Sequence, residues 1–338
     1  METVAAHSLR SLKERGLTAA ELQCMVFPPV AWIVDGYICE GLTILAGKPK
    51  LGKSWLALAI AIGVACGGDV LGGRQCAAGA VLYAALEDTP RRLQDRLTKV
   101  FGAGARQVWP ENLTFCTNGQ MDKLDASGLD QMRGWIAANP SAKLIIIDTF
   151  ARVRSGPQGK ESDYAADYRE VGALKTLADE TGIAIILITH TRKAEADDAF
   201  DTVSGTLGIT GAADTTMILS RDGKGGNLRA IGRDVAEIEM AVEFDRVFFC
   251  WRELGEASTI RRSDERGALL AALEETGEPM TLRDLAAATG QKYPNVRRLV
   301  GKMVKDGEIK KARRGSYIHP DLDPGNNGNS GINEEEQE

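Results

Sequence analysis

The stretch from Gly47 to Ser54 combines the residue types that hold a phosphate chain. Its letters, GKPKLGKS, fit the pattern G-x-x-x-x-G-K-[ST] without insertion or gap. The glycines let backbone N–H groups turn towards an anion, the lysine reaches the β- and γ-phosphates, and the serine hydroxyl holds Mg²⁺. We predict that ATP and Mg²⁺ bind at this loop and the residue after it, through Gly47, Lys48, Pro49, Lys50, Leu51, Gly52, Lys53, Ser54 and Trp55.

A carboxylate that could complete a magnesium site ends another apolar run. Residues 143–148 read KLIIID, four buried-strand residues followed by Asp148. An acidic residue in this position holds Mg²⁺ directly or through water, so we predict that Asp148 and Ser54 share the metal. The alternative is an aspartate that only starts a turn.

Two acidic residues follow a second predicted strand, which covers residues 79–86. These are Glu87 and Asp88, and either could polarise the water that attacks the γ-phosphate. The alternative role is to cap the helix that begins at Pro90. We assign general-base catalysis to Glu87 and helix capping to Asp88.

His190 ends a third apolar run, residues 183–189. As a donor to the γ-phosphate it could report whether hydrolysis has taken place, and the alternative is a structural histidine beside the sheet. Lys53, Glu87 and His190 are therefore our catalytic candidates within one subunit.

Cationic residues supply further candidates. A guanidinium from a neighbouring subunit stabilises transition-state charge, and three arginines could play this part: Arg221, Arg229 and Arg233. Two loops could face a central pore, one with Arg152, Arg154 and Lys160 and the other opening with Thr191, Arg192 and Lys193. The second loop also carries four acidic residues in 195–201, which would repel phosphates.

Strands that are apolar on both faces and alternate with helices predict an α/β fold built on a mostly parallel, covered sheet. Ligands then lie beyond the carboxyl ends of the strands, where Gly47, Glu87, Asp148 and His190 all fall. Alternating apolar residues predict antiparallel edge strands in three later segments: 228–231, 237–244 and 247–251.

The last part of the chain predicts a small winged helix-turn-helix. Helices are expected over 268–275, from a Thr281 cap with Asp284 as its partner to Gly290, and over 294–306. Residues 308–311 and 316–319 could then pair as a wing. We accordingly predict the following organisation: an N-terminal extension, 1–40; an α/β ATPase domain, 41–252, for which the segments quoted below imply a RecA-like fold; a linker, 253–263; the winged-helix domain, 264–319; and a disordered acidic tail, 320–338.

Positive charge is concentrated in this winged helix. Residues 291–314 contain nine Lys or Arg against two acids, Asp306 and Glu308. Such a helix can enter a major groove while the wing crosses the backbone. The DNA-binding candidates are Arg297, Arg298, Lys302, Lys310, Lys311, Arg313 and Arg314. The alternative is a winged helix that docks a protein.

The composition limits the class of protein. Of 338 residues, 43% are apolar and 26% charged, as in a globular protein, and no apolar run reaches the roughly 18 residues that a membrane span requires. The first residues lack the order of a signal peptide, and the six cysteines include no C-x-x-C pair. We expect a cytoplasmic protein with no membrane partner. A net charge of −6 argues against a surface that grips nucleic acid throughout.

Five segments carry a family resemblance: GKPKLGKS, LYAALED, LIIIDT, LITHTRK and SGTLGITGAADTTMIL. In order and spacing they resemble the RecA-like ATPases of the plasmid RepA hexameric helicase group, which are also widespread in phages and prophages. The resemblance spans about residues 27–251. It implies a ring, a homo-hexamer, with ATP between neighbours and single-stranded DNA in the ring. It also implies the roles given above for Lys53, Ser54, Glu87, Asp148 and His190.

One departure separates this chain from the plasmid helicases, which place an arginine finger where residues 212–217 here contain none. Either Arg221, Arg229 or Arg233 takes over, as in the DnaB-type arrangement, or hydrolysis is weak. We predict a replicative DNA helicase or DNA-remodelling motor of a mobile element, with duplex DNA, a replication initiator or a primase as partners of the winged helix. The alternatives are an ATP-controlled DNA-binding replication regulator and a recombination-type ATPase without unwinding activity.

Overall fold

The computed structural model describes residues 16–102, 108–191, 200, 203, 207–222, 225–313 and 315–322. The strands in these residues are β1 (Trp32–Val34), β2 (Ile38–Cys39), β3 (Gly41–Gly47), β4 (Asp69–Val70), β5 (Arg74–Gln75), β6 (Ala80–Ala85), β7 (Leu113–Thr117), β8 (Ala142–Asp148), β9 (Ala184–His190), β10 (Thr215–Asp222), β11 (Gly225–Gly232), β12 (Ile238–Asp245), β13 (Cys250–Glu256), β14 (Met280–Thr281), β15 (Lys310–Arg313) and β16 (Ser316–Ile318).

The helices are α1 (Ala19–Cys24), α2 (Lys53–Cys66), α3 (Pro90–Phe101), α4 (Leu129–Ala138), α5 (Phe150–Val153), α6 (Asp163–Thr181), α7 (Leu207–Ala212), α8 (Ala257–Thr276), α9 (Leu282–Thr289) and α10 (Tyr293–Lys305). A single π-type turn, Leu124–Gly128, precedes α4. Within the ranges given above, no helix is long and apolar enough to cross a bilayer.

A nine-stranded sheet forms the centre of the molecule, in the order β13-β12-β11-β10-β3-β9-β8-β6-β7. The strands from β10 to β7 in this order are parallel, whereas β11, β12 and β13 pair antiparallel. The prediction of a mostly parallel sheet with antiparallel edge strands is confirmed.

Alternate side chains of the central strands enter two apolar cores because both faces of the sheet are covered. On β3, Leu45 packs into the core that contains Leu58 and Ile60 of α2, whereas Ile44 packs into the core that contains Leu174 of α6. Every residue of β3 is buried, which explains its continuous apolar run.

The strand register brings the predicted site residues to one edge. Gly47 on β3 lies opposite His190 on β9, and Ala85 at the end of β6 lies opposite Asp148 on β8. All four strands are parallel, so their carboxyl ends form one continuous rim.

Two predicted boundaries are wrong near the start of the core and at its far edge. The N-terminal extension was expected to reach residue 40, but β1 and β2 form a hairpin whose Ile33 and Tyr37 are buried in the core beside α2. The strand predicted over 247–251 begins instead at Cys250. Asp245 accepts hydrogen bonds from the N–H groups of Val247 and Phe248, so these residues form a turn.

The linker predicted over 253–263 is also wrong. Strand β13 continues to Glu256, and α8 begins at the next residue. The polar residues that suggested a linker instead form the first turns of α8, where Arg261 donates to Glu239 of β12 at 2.7 Å. Exposed or ion-paired turns of a helix have the same polar composition as a linker, so the sequence did not distinguish a helix from a linker here.

The C-terminal elements match the winged-helix prediction. Thr281 caps α9 in a capping box with Asp284, and α10 buries Val296, Leu299 and Met303 along one face. Strands β15 and β16 pair as the wing, and β14 joins them. Together with α8 they enclose a core of their own. The predicted tail beyond residue 322 lies outside the described residues.

Candidate nucleotide-binding site

The predicted phosphate loop connects the end of β3 to the start of α2. Glycine is required at Gly47, where a Cβ would lie 2.5 Å from the carbonyl oxygen of Leu219. Gly52 has a φ of +106°, and a Cβ there would lie 3.1 Å from the ring of Trp251. The loop therefore keeps its backbone close to the sheet, with the first turn of α2 directed at its centre.

Lys53 lies within this loop. Its ammonium donates to the carbonyl oxygens of Gly47 and Lys48, at 2.6 and 3.1 Å, and lies 3.2 Å from Nδ1 of His190. Lys53 is 5% exposed, and burial lowers its pKa to about 8. A phosphate chain in the loop would replace the carbonyl oxygens as the partners of this charge.

Asp148 is buried at the end of β8 and hydrogen-bonded by two hydroxyls. Tyr83 donates to it at 3.0 Å, and Ser54 also contacts the carboxylate. Burial raises the pKa of Asp148 above its ordinary value, although both hydrogen bonds act in the opposite direction. A carboxylate and a hydroxyl are the oxygen ligands that Mg²⁺ prefers, so this pair fits the metal that the fold implies.

Glu87 follows β6 and is half exposed at the same rim. Its Oε1 accepts a hydrogen bond from Thr149 Oγ1 at 3.4 Å and lies 3.4 Å from Nε of Arg152. The carboxylate thus projects from the sheet and faces solvent.

The capping role assigned to Asp88 is wrong. Thr89 is the N-cap of α3, and its side chain accepts from the N–H of Arg92. Asp88 instead pairs with Arg92 and Arg96, at 2.9 and 2.7 Å. A threonine directly before a proline is a capping signal that the sequence already contained.

Aromatic residues brace the loop from the antiparallel side of the sheet. The indole of Trp251 donates to the carbonyl oxygen of Gly52 at 3.1 Å. Trp55, which we predicted as a nucleotide contact, stacks on Phe249 with ring centroids 5.3 Å apart, and the guanidinium of Arg96 lies over it.

The three arginines proposed to act on a neighbour lie at different levels of the sheet. Arg221 is exposed at the end of β10 towards the phosphate-loop rim, and it forms no ion pair with any described residue. Arg229 lies in the middle of β11 and pairs with Glu239 at 3.1 Å. Arg233 lies at the opposite rim, paired with Asp214 at 3.1 Å. The structure separates the three residues, and of the three Arg221 lies towards the end of the sheet that carries the phosphate loop.

Sequence reasoning missed Tyr83, Thr149 and Trp251 as parts of the site, and it considered Arg152 for a pore loop and not as the partner of Glu87. Tyr83 and Trp251 occupy strand positions that the pattern explains as core, so their polar atoms gave no signal. In the second of the two predicted pore loops, Arg192 and Lys193 lie outside the described residues.

The predicted DNA-binding side chains of the winged helix share one property, which is exposure on α10 and β15: Arg297, Arg298, Lys302, Lys310, Lys311 and Arg313. Arg314 lies outside the described residues. The two acids of this segment, Asp306 and Glu308, both pair with Arg266 of α8. Arg266 offsets one of these two negative charges, and the six exposed cations outnumber the acids, so the face keeps a positive potential.

Comparison with protein families identifies the core. Residues 8–196 match a family described as AAA domain, which covers more than half of the chain. The chain belongs to this AAA domain family. A second match, over residues 267–311, is to the IclR helix-turn-helix domain and agrees with α9 and α10 as the paired helices.

Solved structures match this AAA domain protein at low sequence identity. One solved ATPase domain is 14% identical with a TM-score of 0.50, over 64% of this chain and 85% of that one. A KaiC-like protein from Pyrococcus horikoshii OT3 is 15% identical with a TM-score of 0.45. The match covers 65% of this chain and 93% of that one. A DnaB-like replicative helicase, described together with its interactions with primase, is 16% identical with a TM-score of 0.49. The match covers 64% of this chain and 58% of that one. The match to the solved ATPase domain and the helix-turn-helix match confirm the predicted fold class.

Proposed function

We propose that this AAA domain protein hydrolyses ATP to drive work on DNA. One observation carries the proposal: Lys53, Ser54, Asp148, His190 and Glu87 lie along the carboxyl rim of four adjacent parallel strands. Phosphate binding, metal binding and water activation require these residue types side by side.

Each residue has a part in the in-line attack of water on the γ-phosphate. Loop N–H groups and Lys53 hold the β- and γ-phosphates, while Glu87 orients the water and accepts its proton. His190, 3.2 Å from the Lys53 ammonium, lies where it can sense the γ-phosphate. Ser54 and Asp148 would hold Mg²⁺, which neutralises phosphate charge when bound.

A homo-hexameric ring would complete the site. Arg221 is the arginine that we place on the neighbour's phosphate, because it is exposed at the rim whereas Arg229 and Arg233 are engaged by carboxylates. Single-stranded DNA would pass through the ring, and the exposed cations of α10 and β15 would hold duplex DNA. We propose a replicative helicase or remodelling motor of a plasmid, phage or prophage, with a replication initiator or primase as partner.

Turnover of ATP with and without single-stranded DNA tests this proposal. Glu87→Gln should bind ATP with undiminished affinity and lose turnover, whereas Glu274→Gln, on the exposed side of α8, should match the wild type in both. Full turnover in Glu87→Gln would exclude Glu87 as the base. Mass measurement of the assembly with ATP tests the ring.

A second candidate is favoured by the winged helix. Its separate core and its uncompensated basic face suit a regulator that binds duplex DNA under the control of ATP. Strand displacement on a forked duplex distinguishes the two: a motor separates the strands with ATP, whereas a regulator binds the fork and leaves it paired.

A further inference from the structure

Arg152 lies on α5, the short helix that begins directly after Asp148 and Thr149. Its Nε is 3.4 Å from Oε1 of Glu87, the same oxygen that accepts from Thr149. Both partners of the ion pair are half exposed, 51% for the Arg152 side chain and 48% for that of Glu87. An exposed pair of this kind is weak enough to be exchanged for another partner.

The backbone beneath Arg152 is fixed, unlike its side chain. Lys123 donates to the carbonyl oxygens of Arg152 and Arg154, at 2.8 and 2.9 Å. Further along, Glu170 accepts from the N–H groups of Ser155 and Gly156, at 3.0 and 2.9 Å. A new partner for the Arg152 guanidinium would therefore move the side chain and leave the turn in place.

The neighbouring arginine shows why Arg152 is the exchangeable one. Arg154 is shared between Asp163 and the buried Asp167, at 2.8 and 2.6 Å. Arg152 is paired to a carboxylate that faces solvent. A guanidinium binds phosphate oxygens with the same planar donor geometry that it offers to a carboxylate.

We propose that Arg152 is a positioning residue that occupies Glu87 in the resting protein and releases it when single-stranded DNA binds. This inference rests on the proposed role of Glu87 as general base. Arg152, through an ion pair, and Thr149, through a hydrogen bond, both hold Oε1 of Glu87 and so keep the carboxylate turned towards α5. A backbone phosphate of the strand takes the guanidinium, and Glu87 turns to the γ-phosphate. ATP turnover is thereby coupled to the presence of DNA.

The test compares Arg152→Ala, Arg152→Lys and the wild type in ATP turnover with and without a poly-dT strand. Arg152→Ala should raise DNA-free kcat by up to about fivefold, the factor that corresponds to about 1 kcal/mol of an exposed ion pair, with KM unchanged. Its ratio of stimulated to DNA-free kcat should fall towards one. Arg152→Lys, which keeps the charge, should restore part of that ratio.

Arg91→Ala is the matched control, because Arg91 is an exposed arginine on α3 whose ion pair among the described residues is the local one with Asp95. It should keep the wild-type ratio. A fall in DNA-free kcat, or an unchanged ratio, in Arg152→Ala would overturn the inference. The proposed function is judged separately by Glu87→Gln: if that variant is inactive while Arg152→Ala behaves as wild type, only the role of Arg152 is lost.

Discussion

The indole N–H of Trp251 donates to the carbonyl oxygen of Gly52 across 199 residues of sequence. Trp251 is 2% exposed, and its ring also covers the face of Gly52 where a Cβ would lie. The last strand of the sheet thus fixes the residue that precedes Lys53.

Replacement of Trp251 by Phe should loosen the phosphate loop. The ring packing is largely retained, but the carbonyl of Gly52 loses its donor, so we expect a loss of about 1 kcal/mol in the free energy of unfolding and weaker ATP binding. Urea unfolding and nucleotide titration measure the two effects. Trp109→Phe, at a partly exposed position, is the control, and equal behaviour of the two variants would contradict this role.

The affinity for ATP should fall at alkaline pH. Burial places the pKa of Lys53 at about 8 in the free protein, so the ammonium that meets the phosphates is lost as the pH rises through 8. Between pH 7 and 9 the charged fraction falls by about tenfold, and the association constant should follow it. Titrations at fixed ionic strength measure this. Lys53→Arg, whose charge persists over this range, should bind with a flatter pH profile.

Removal of the Tyr83 hydroxyl should weaken the metal site. Tyr83→Phe leaves Asp148 with one fewer hydrogen bond to hold its orientation, and loss of such a partner typically costs about 10- to 100-fold in metal affinity. The Mg²⁺ concentration for half-maximal turnover should rise accordingly. Tyr164→Phe, at an exposed helix position, should leave it unchanged. An unaltered Mg²⁺ requirement in Tyr83→Phe would show that the hydroxyl does not support the metal.

The ion pairs of Arg154 with Asp163 and Asp167 should contribute mainly to stability. Asp167 has a side chain that is 3% exposed, so Arg154→Ala removes an ion-pair partner from a buried carboxylate. We expect a loss of about 2 kcal/mol or more, below the ~3–5 kcal/mol of a fully buried pair because Arg154 is itself 31% exposed. Arg91→Ala should change the free energy of unfolding by less than about 0.5 kcal/mol in the same urea series. Comparable losses would place the Arg154 pair among ordinary surface contacts.

The basic face of α10 should control binding to duplex DNA. Arg297→Ala combined with Lys302→Ala should lower affinity and reduce the slope of log K against log salt by about 0.9 for each phosphate that the double variant no longer neutralises. Fluorescence anisotropy over a salt series measures both quantities. Arg262→Ala on α8 is the control, and a retained slope in the double variant would favour the protein-docking alternative.

The strand pattern was sufficient to predict the site edge, because β3, β6, β8 and β9 are apolar on both faces and each ends at or just before a residue of the site. It could not predict contacts between distant residues. The Trp251–Gly52 bond depends on which strand lies at the far edge, and the Arg152–Glu87 pair depends on a four-residue helix. The helical start of α8 was hidden because its polar side chains satisfy ion pairs, such as Arg261 with Glu239, that no local pattern reveals.

Strand β13 holds the phosphate loop through Trp251 and passes without a spacer into α8, the first helix of the winged unit. A displacement of α8 would therefore act directly on the strand whose indole holds Gly52. Binding to the winged unit and binding at the phosphate loop, both proposed above, would in this way be coupled through one continuous segment of the chain.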